Sequence, residues 1–214
     1  NYWTMGIELN SELINLTTNR DNNEFEIDND NINSINFHAT LDIIDNMILP
    51  TNGIIINIDY KRSDKSINSN KNYFWYKAES DFYLTFNPHT IRLYAYTHLG
   101  DKEIPLYLKT FSKGTNYLSG FSIDQIYGNS LSLIRLEYRY KYKTDIYFHL
   151  ILNNLFNITI NDQLMFDNIP SFGIGTTLIS RGGNIEVILG SGPSHISDLN
   201  SYQYTISINA GYKF

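Results

Sequence analysis

The sequence predicts an all-β protein, a transmembrane antiparallel β-barrel of about 10–12 strands with long extracellular loops. Most segments alternate apolar and polar residues, which is the period of a strand with one apolar face. The last segment, residues 201–214, alternates without a break and ends on Phe214, with aromatic residues at both ends of its apolar face. Charged residues make up only 18% of the chain and aromatic residues 14%, a balance that favours a surface facing lipid.

The composition excludes several classes of protein. The 214 residues suffice for one large β domain, and we treat residues 1–214 as a single barrel. No run approaches the roughly 18 apolar residues of a membrane-spanning helix. The chain has no cysteine for disulfides or thiolate metal sites, and a net charge of −6 gives no footprint for nucleic acid. Because the first residue is not Met and the sequence opens inside a strand-like pattern, we expect an upstream part.

The first half of the chain predicts strands that begin near Tyr2, Ile35, Ile54, Phe74 and Ile91, and a weaker alternating stretch over residues 11–20. Polar stretches over residues 20–34 and 62–72 predict loops. Pro and Gly punctuate the turn before Ile54, and Asn87-Pro88-His89 predicts a tight turn.

The second half predicts strands near residues 134–142, 146–152, 172–178, 185–189 and 201–214. Residues 101–128 form the longest connection and do not alternate, and such a length is unusual for a simple hairpin loop. We also predict loops over residues 154–170 and 190–200, so that short and long connections alternate. The count is about eleven strands, and a barrel with both ends in the periplasm needs an even number. One strand is therefore misread or lies upstream.

Charged side chains are predicted to face the barrel lumen where they alternate with the apolar residues of their strands: Glu79, Asp81, Arg92, Arg135, Glu137, Arg139 and Lys141. They are consistent with two roles. One is a conducting or translocating path, and the other is a network of ion pairs that satisfies polar groups and keeps the barrel closed.

The sequence offers no catalytic, metal or cofactor site. Its five histidines include no pair spaced by four residues and have no cysteine nearby. Ser191, His195 and Asp198 lie in one predicted loop, but the chain lacks the Gly-x-Ser-x-Gly elbow of a hydrolase. We therefore predict that this chain is not itself an enzyme.

A turn resembles one in a known family. Residues 41–60 contain Asp45, Pro50 and Gly53 in the order Asp-Asn…Pro-Thr-x-Gly. This resembles a recurrent turn of the bacterial surface antigen superfamily, which comprises the barrels of outer-membrane assembly factors and two-partner-secretion translocators. The resemblance covers residues 41–214 and implies a barrel in the bacterial outer membrane.

The long connection resembles the superfamily loop that folds back into the barrel and carries an Arg-Gly-Phe or Arg-Gly-Tyr motif. Here the motif reads Leu118, Ser119, Gly120 and Phe121. Ser119 stands where the family has arginine, so the pairing of that arginine with acids of the lumen wall is absent. This departure puts the loop's transport role in doubt.

The end of the chain is most similar to the C-terminal barrel of patatin-like type V (subtype d) autotransporters. The resemblance implies a barrel that anchors, and helps to export, an N-terminal patatin-like phospholipase passenger. It also implies a C-terminal signal recognised by the outer-membrane assembly machinery: Tyr204, Ile206, Ile208, Ala210, Tyr212 and Phe214. The alternatives are a passive pore or purely structural anchor, and a soluble β-sandwich that binds a ligand.

The length predicts either that this chain is a part of a larger barrel or that the barrel is small, with about ten to twelve strands. The resemblance implies sixteen strands, but at roughly 18–20 residues for each strand and connection this chain supplies far fewer. Unpaired strand edges are not tolerated in lipid, so a second copy would shield the seam and form a homodimer. The expected partners are outer-membrane lipid, the assembly machinery, the passenger and this second copy, with no nucleic acid.

Overall fold

The fold was determined as a computed structural model. It describes residues 2–15, 29–105, 108–111, 118–121, 126–160, 163–195 and 198–212. In this part of the chain no helix is both long enough and apolar enough to span a membrane.

The first half of the chain forms five strands and one 3₁₀ turn. The strands are β1 (Tyr2–Asn15), β2 (Asn29–Asp42), β3 (Gly53–Ser63), β4 (Tyr73–Phe86) and β5 (His89–Gly100). The 3₁₀ turn, Lys65–Ile67, follows β3 and is capped by the Asp64 side chain, which accepts a hydrogen bond from the Ser66 N–H.

The second half begins with a two-residue ladder inside the long connection, between β6 (Thr110–Phe111) and β7 (Tyr127–Gly128). Five long strands follow: β8 (Ser130–Lys143), β9 (Ile146–Ile160), β10 (Gln163–Ser180), β11 (Gly183–His195) and β12 (Asp198–Tyr212).

The ten long strands form one antiparallel sheet in the order β1-β2-β3-β4-β5-β8-β9-β10-β11-β12. Each strand pairs with its neighbour along the chain, so the sheet is a meander with β1 and β12 at its edges. Tyr2, at the start of β1, pairs with Asp42, and Tyr212, at the end of β12, pairs with Gly183. The start of β1 and the end of β12 therefore lie at the end of the sheet that carries the short turns. This even-numbered, all-β meander is a barrel-type sheet, as predicted.

The two faces of the sheet differ as the alternation predicts. The outer face exposes large apolar side chains, among them Leu136, Leu152 and Ile174 at 44–55% of their surface. The inner face is the one that carries the long connection, and it holds buried polar and charged residues. The outward side chains of the edge strands are more exposed still, because they have a neighbouring strand on one side only: Ile7 is 73% and Tyr204 81% exposed.

Two predicted loops are wrong. Residues 154–170 and 190–200 belong almost entirely to strands: β9 continues to Ile160, β10 starts at Gln163, and β11 and β12 extend their ladder to the pair His195 and Asp198. Residues 29–34 likewise belong to β2. These ends of the hairpins have polar residues at both parities, so the alternation disappears while the backbone ladder goes on, with register shifts near 165 and 194. The extra strand in the count of eleven is the weaker stretch over residues 11–20, whose described part continues β1 to Asn15.

Candidate functional site on the inner wall

The tip of the long connection, Leu118–Phe121, docks on the inner wall of the sheet. Leu118, Ser119 and Phe121 are fully buried. Leu118 and Phe121 pack in an apolar cluster with inner-face residues of β5, β8, β9 and β10: Tyr94, Tyr96, Leu131, Leu133, Leu155, Ile158 and Ile169. The segment therefore lies inside the barrel rather than above it.

Glycines on the inner face of β10 and β11 make room for the tip. A Cβ atom at Gly173 would lie 2.8 Å from Ser119 Oγ, and one at Gly192 would lie 2.7 Å from Phe121 Cε2. A Cβ at Gly190 would overlap the Gly120 backbone. These distances are shorter than real contacts allow, so the three glycines permit an approach that a side chain would block.

Gly120 has the conformation that the docked tip requires. Its φ of +91° is a region that L-residues avoid, and a Cβ would overlap the Ser191 backbone. Its N–H donates to Thr205 Oγ1 at 3.1 Å, and its carbonyl accepts from Gln203 Nε2 at 2.8 Å. Two side chains of β12 thus hold the loop tip against this edge strand.

Ser119, at the position of the family arginine, is enclosed beside Gly173. Its Oγ makes no hydrogen bond to any described residue. A serine fills little space and carries no charge, so the tip is held by packing and by the Gly120 hydrogen bonds instead of by an ion pair.

A belt of charged residues, centred on Glu137, runs along the inner wall on the short-turn side of the loop tip. Glu137 is fully buried. Its carboxylate accepts from Arg139 Nε at 2.6 Å, from Arg135 Nη2 at 2.8 Å and from Arg92 Nη1 at 3.1 Å. A buried carboxylate is tolerated only with such compensation, so β5 and β8 are joined through this one group.

The belt extends to both sides of Glu137. Toward β4, Arg92 binds Asp81 through two hydrogen bonds of 2.8 and 2.6 Å, a bidentate pair. Toward β10, His149 Nδ1 lies 2.8 Å from Glu137 Oε1, and its Nε2 lies 2.8 Å from Thr177 Oγ1.

Glu137, His149 and Glu186 place their ligand atoms within 4.8 Å of one another. This spacing alone would suit a metal ion. However, both nitrogens of His149 are engaged and Glu137 already faces three guanidinium groups. Glu186 Oε2 accepts a hydrogen bond from Asn209 Nδ2 at 3.2 Å. The arrangement favours an ion-pair network over a cation site.

The turn predicted from the family motif contacts the belt. Arg139 Nη1 donates to the Pro50 carbonyl at 3.1 Å. Within the turn, Asp45 accepts from the Thr51 N–H at 2.8 Å and from the Thr51 hydroxyl. Gly53 has φ +118° and a Cβ would overlap the Ile43 carbonyl, so the chain can close the turn only with glycine here.

The residues of the predicted C-terminal signal lie on the outer face where they are described. Tyr204, Ile206 and Ile208 are 81, 71 and 70% exposed, and Ala210 is exposed as well. Tyr212 ends β12, and Phe214 lies outside the described residues.

The model of the Omp85 superfamily domain matches residues 1–166. The chain belongs to the Omp85 superfamily. This bacterial outer-membrane β-barrel also resembles the crystal structure of BamA from Haemophilus ducreyi lacking POTRA domains 1-3, with a TM-score of 0.69 and 15% sequence identity. The likeness covers 91% of this chain and 46% of that one, so the Omp85 chain described here spans about half the length of the BamA chain. No curated protein sequence matches it.

Several residues of the site were not predicted from the sequence. His149, Thr177 and Glu186 join the belt, and Gly173, Gly190 and Gly192 form the contact with the loop tip. A signal for the glycines was present: Gly173, Gly175, Gly190 and Gly192 recur at inner-face parity on adjacent strands. A strand that omits side chains on one face indicates the close approach of another segment.

Proposed function

We propose that this Omp85 barrel anchors an N-terminal passenger in the outer membrane and helps to export it, as in patatin-like type V autotransporters. The observation that carries the proposal is the docked tip, Leu118–Phe121, which occupies the inner wall of β10 to β12. A loop that packs against these glycines inside the lumen can form one wall of a path for a polypeptide.

The inner wall of β1 to β4 has the chemistry that such a path requires. A cavity of about 440 Å³ lies there, with Glu8, His38, Asp59 and Lys61 in its lining. An unfolded polypeptide presents N–H and C=O groups throughout, and these need polar partners. We also propose that this chain carries no catalytic centre of its own and that lipid hydrolysis belongs to the passenger.

The export proposal is tested in cells that make the full-length natural protein. Gly190→Leu introduces a side chain where the Gly120 backbone docks, whereas Gly182→Ala places its Cβ 4.0 Å from Ser180 Oγ and serves as the matched control. We expect the passenger to lose most of its surface exposure, measured by protease accessibility on intact cells, in the first variant only. Heat-modifiable migration should show a folded barrel in both variants.

Normal exposure of the passenger in a Gly190→Leu barrel whose loop has become protease-sensitive would contradict a role of the loop in export.

The second candidate is a passive pore or a purely structural anchor. The Glu137 belt favours it, because charges that pair with one another along the inner wall stabilise a barrel without moving a substrate. Single-channel conductance separates these two forms. A steady conductance with an unexported passenger supports a pore. The absence of both conductance and export supports an anchor.

We further propose that a second copy shields the edge strands. β1 and β12 are the edges of the sheet, and their outward apolar residues are the most exposed on the outer face, among them Leu9 at 80% and Ile206 at 71%. Lipid offers no hydrogen-bonding partner to an open edge, which favours association of two edges.

A further inference from the structure

His89 stands out on the outer wall. The described outward-facing residues of β4, β5, β8 and β9 are almost all apolar, aromatic or neutral polar, and the two basic ones are His89 and Lys143, the last residue of β8. It is the first residue of β5 and follows the turn at Asn87 and Pro88, so it lies at the short-turn rim of the apolar band. At that depth the headgroups of the periplasmic leaflet meet the protein.

Three aromatic rings surround the imidazole. The ring centroids of Phe86, Tyr138 and Tyr140 lie 5.9, 5.7 and 5.6 Å from that of His89. The cross-strand register explains the arrangement, since His89 pairs with Phe86 on one side and with Tyr140 on the other. The imidazole is therefore packed among aromatic rings at the rim of the apolar band.

One nitrogen of the ring is held by the protein and the other is not. His89 Nδ1 lies 2.6 Å from Tyr138 Oη, which fixes the orientation of the imidazole. His89 Nε2 makes no hydrogen bond to any described residue. The side chain is half-buried among the rings, so Nε2 is directed to the surroundings by a fixed partner on the opposite nitrogen.

A lysine also lies at the short-turn rim of the apolar band. Lys143 Nζ is 5.5 Å from the centre of the Tyr142 ring, and Tyr142 is one of the outward aromatic residues of β8. Basic side chains beside aromatic rings at a membrane rim suit a phospholipid, because its phosphate can bind the basic group while its glycerol and acyl chains contact the rings.

We propose that Phe86, His89, Tyr138 and Tyr140, the His89 cluster, form a binding site for the phosphodiester of a glycerophospholipid in the periplasmic leaflet. His89 Nε2 donates a hydrogen bond to a phosphate oxygen. The rings cover the glycerol region, and the acyl chains lie along the apolar outer wall. An aromatic girdle alone provides interfacial packing; the imidazole adds recognition of the phosphate.

The test measures lipid retained by the full chain in detergent, by native mass spectrometry, with added dioleoyl phosphatidylglycerol, dioleoyl phosphatidylethanolamine or dioleoylglycerol. We expect both phospholipids to bind and the phosphate-free dioleoylglycerol to bind weakly. The substitution His89→Phe keeps the ring and should lower phospholipid binding about tenfold, which corresponds to one charge-assisted hydrogen bond. It should leave dioleoylglycerol binding unchanged.

Two further variants exclude trivial explanations. Tyr138→Phe removes only the hydroxyl that orients the imidazole and should give an intermediate loss, which keeps the test decisive if His89→Phe fails to fold. Leu178→His places an imidazole on the outer face near another short turn, two residues before the end of β10, and should gain no phospholipid binding.

Equal retention of the three lipids by the wild-type chain, or undiminished phospholipid binding by folded His89→Phe, would overturn the proposal and leave ordinary girdle packing.

Discussion

At the scale of single residues, Glu137 is the centre of the charged belt in the lumen. It is buried and compensated by three arginines, and its removal takes the shared carboxylate away from all three, while Arg92 keeps its pair with Asp81. Breaking a buried ion pair from one side costs about 3–5 kcal/mol, whereas an exposed pair contributes about 0–1 kcal/mol. The difference between the two kinds of pair can be measured in this protein.

We predict that Glu137→Gln lowers the free energy of unfolding by about 3 kcal/mol or more, because one neutral amide cannot compensate three guanidinium groups. The control is Asp59→Asn, since Asp59 pairs with Lys77 at 3.4 Å and about a third of each side chain is exposed. Its loss should stay below about 1 kcal/mol. Urea titration of the protein refolded in lipid vesicles gives both values, and similar losses would show that the belt does not stabilise the barrel.

The turn at Asp45 gives a pH-dependent effect. Partial burial acts to raise the pKa of Asp45, but the hydrogen bonds from Thr51 and from nearby backbone N–H groups outweigh it and hold the pKa below its usual 3.8. A lowered pKa means that the ionised carboxylate stabilises the fold above the unfolded value, and that this stability is lost as the pH falls through the folded value.

We therefore expect Asp45→Asn to destabilise the protein near neutral pH, on the order of 1 kcal/mol for a solvent-screened site, and to have no effect well below pH 3.8. Asn52→Ala removes the acceptor of the Thr85 N–H and should cost the same at both pH values. Unfolding curves at the two pH values make the comparison. A pH-independent loss for Asp45→Asn would contradict the role of its charge.

At the scale of elements, each strand divides the molecule into a lipid side and a lumen side. On β8, Leu136 and Tyr142 face outward, while the intervening Glu137 and Arg139 are buried inside. The alternation places apolar and charged residues one position apart, so the cost of an added charge depends on the parity and depth of its position.

We predict that Leu136→Lys, in the middle of β8, costs about 2–4 kcal/mol, while Tyr142→Lys, beside the turn, costs about 0–1 kcal/mol for the added charge. A lysine at the rim reaches the headgroups, and one at the midplane does not. Urea titration in vesicles measures both. Equal costs would mean that Leu136 does not contact the hydrocarbon core.

The closing strand carries the predicted assembly signal, and deletion of Phe214 tests it. We expect membrane insertion by the assembly machinery in cells to fall sharply, while the stability of the barrel refolded in vitro changes little. The amount of heat-modifiable protein in outer membranes and its urea midpoint measure the two effects. Normal membrane levels after the deletion would count against a signal at the C-terminus.

At the scale of the whole molecule, the two sheet edges are the basis of the proposed homodimer. The edge strands β1 and β12 present their apolar outward faces at 64–81% exposure for residues such as Met5 and Tyr204, more than the inner strands of the sheet do. If a second copy covers the seam, the mass in detergent should be twice the chain mass of 24.8 kDa. Light scattering with detergent correction measures it, and a monomer mass at all concentrations would remove the dimer proposal.

Much of this fold was determined by the sequence. The outward and inward parity of the strands, the tight turn at Pro88 and the long connection follow from alternation and turn chemistry, which act between neighbouring residues. The ends of the hairpins β9–β10 and β11–β12 away from the short turns did not follow, because polar residues occur there at both parities and hide the alternation, although the backbones remain paired.

The candidate site likewise has one part that the sequence predicts and another that only the tertiary structure shows. The inward parity of Glu137 and of the three arginines is a local property of strands β5 and β8, and the sequence alone determined it. Only the tertiary structure decided that His149 and Glu186 join them, and that Leu118–Phe121 lies against glycines more than fifty residues away. Cross-strand register and loop docking depend on the packing of the whole sheet, and no local pattern specifies which distant residues will meet.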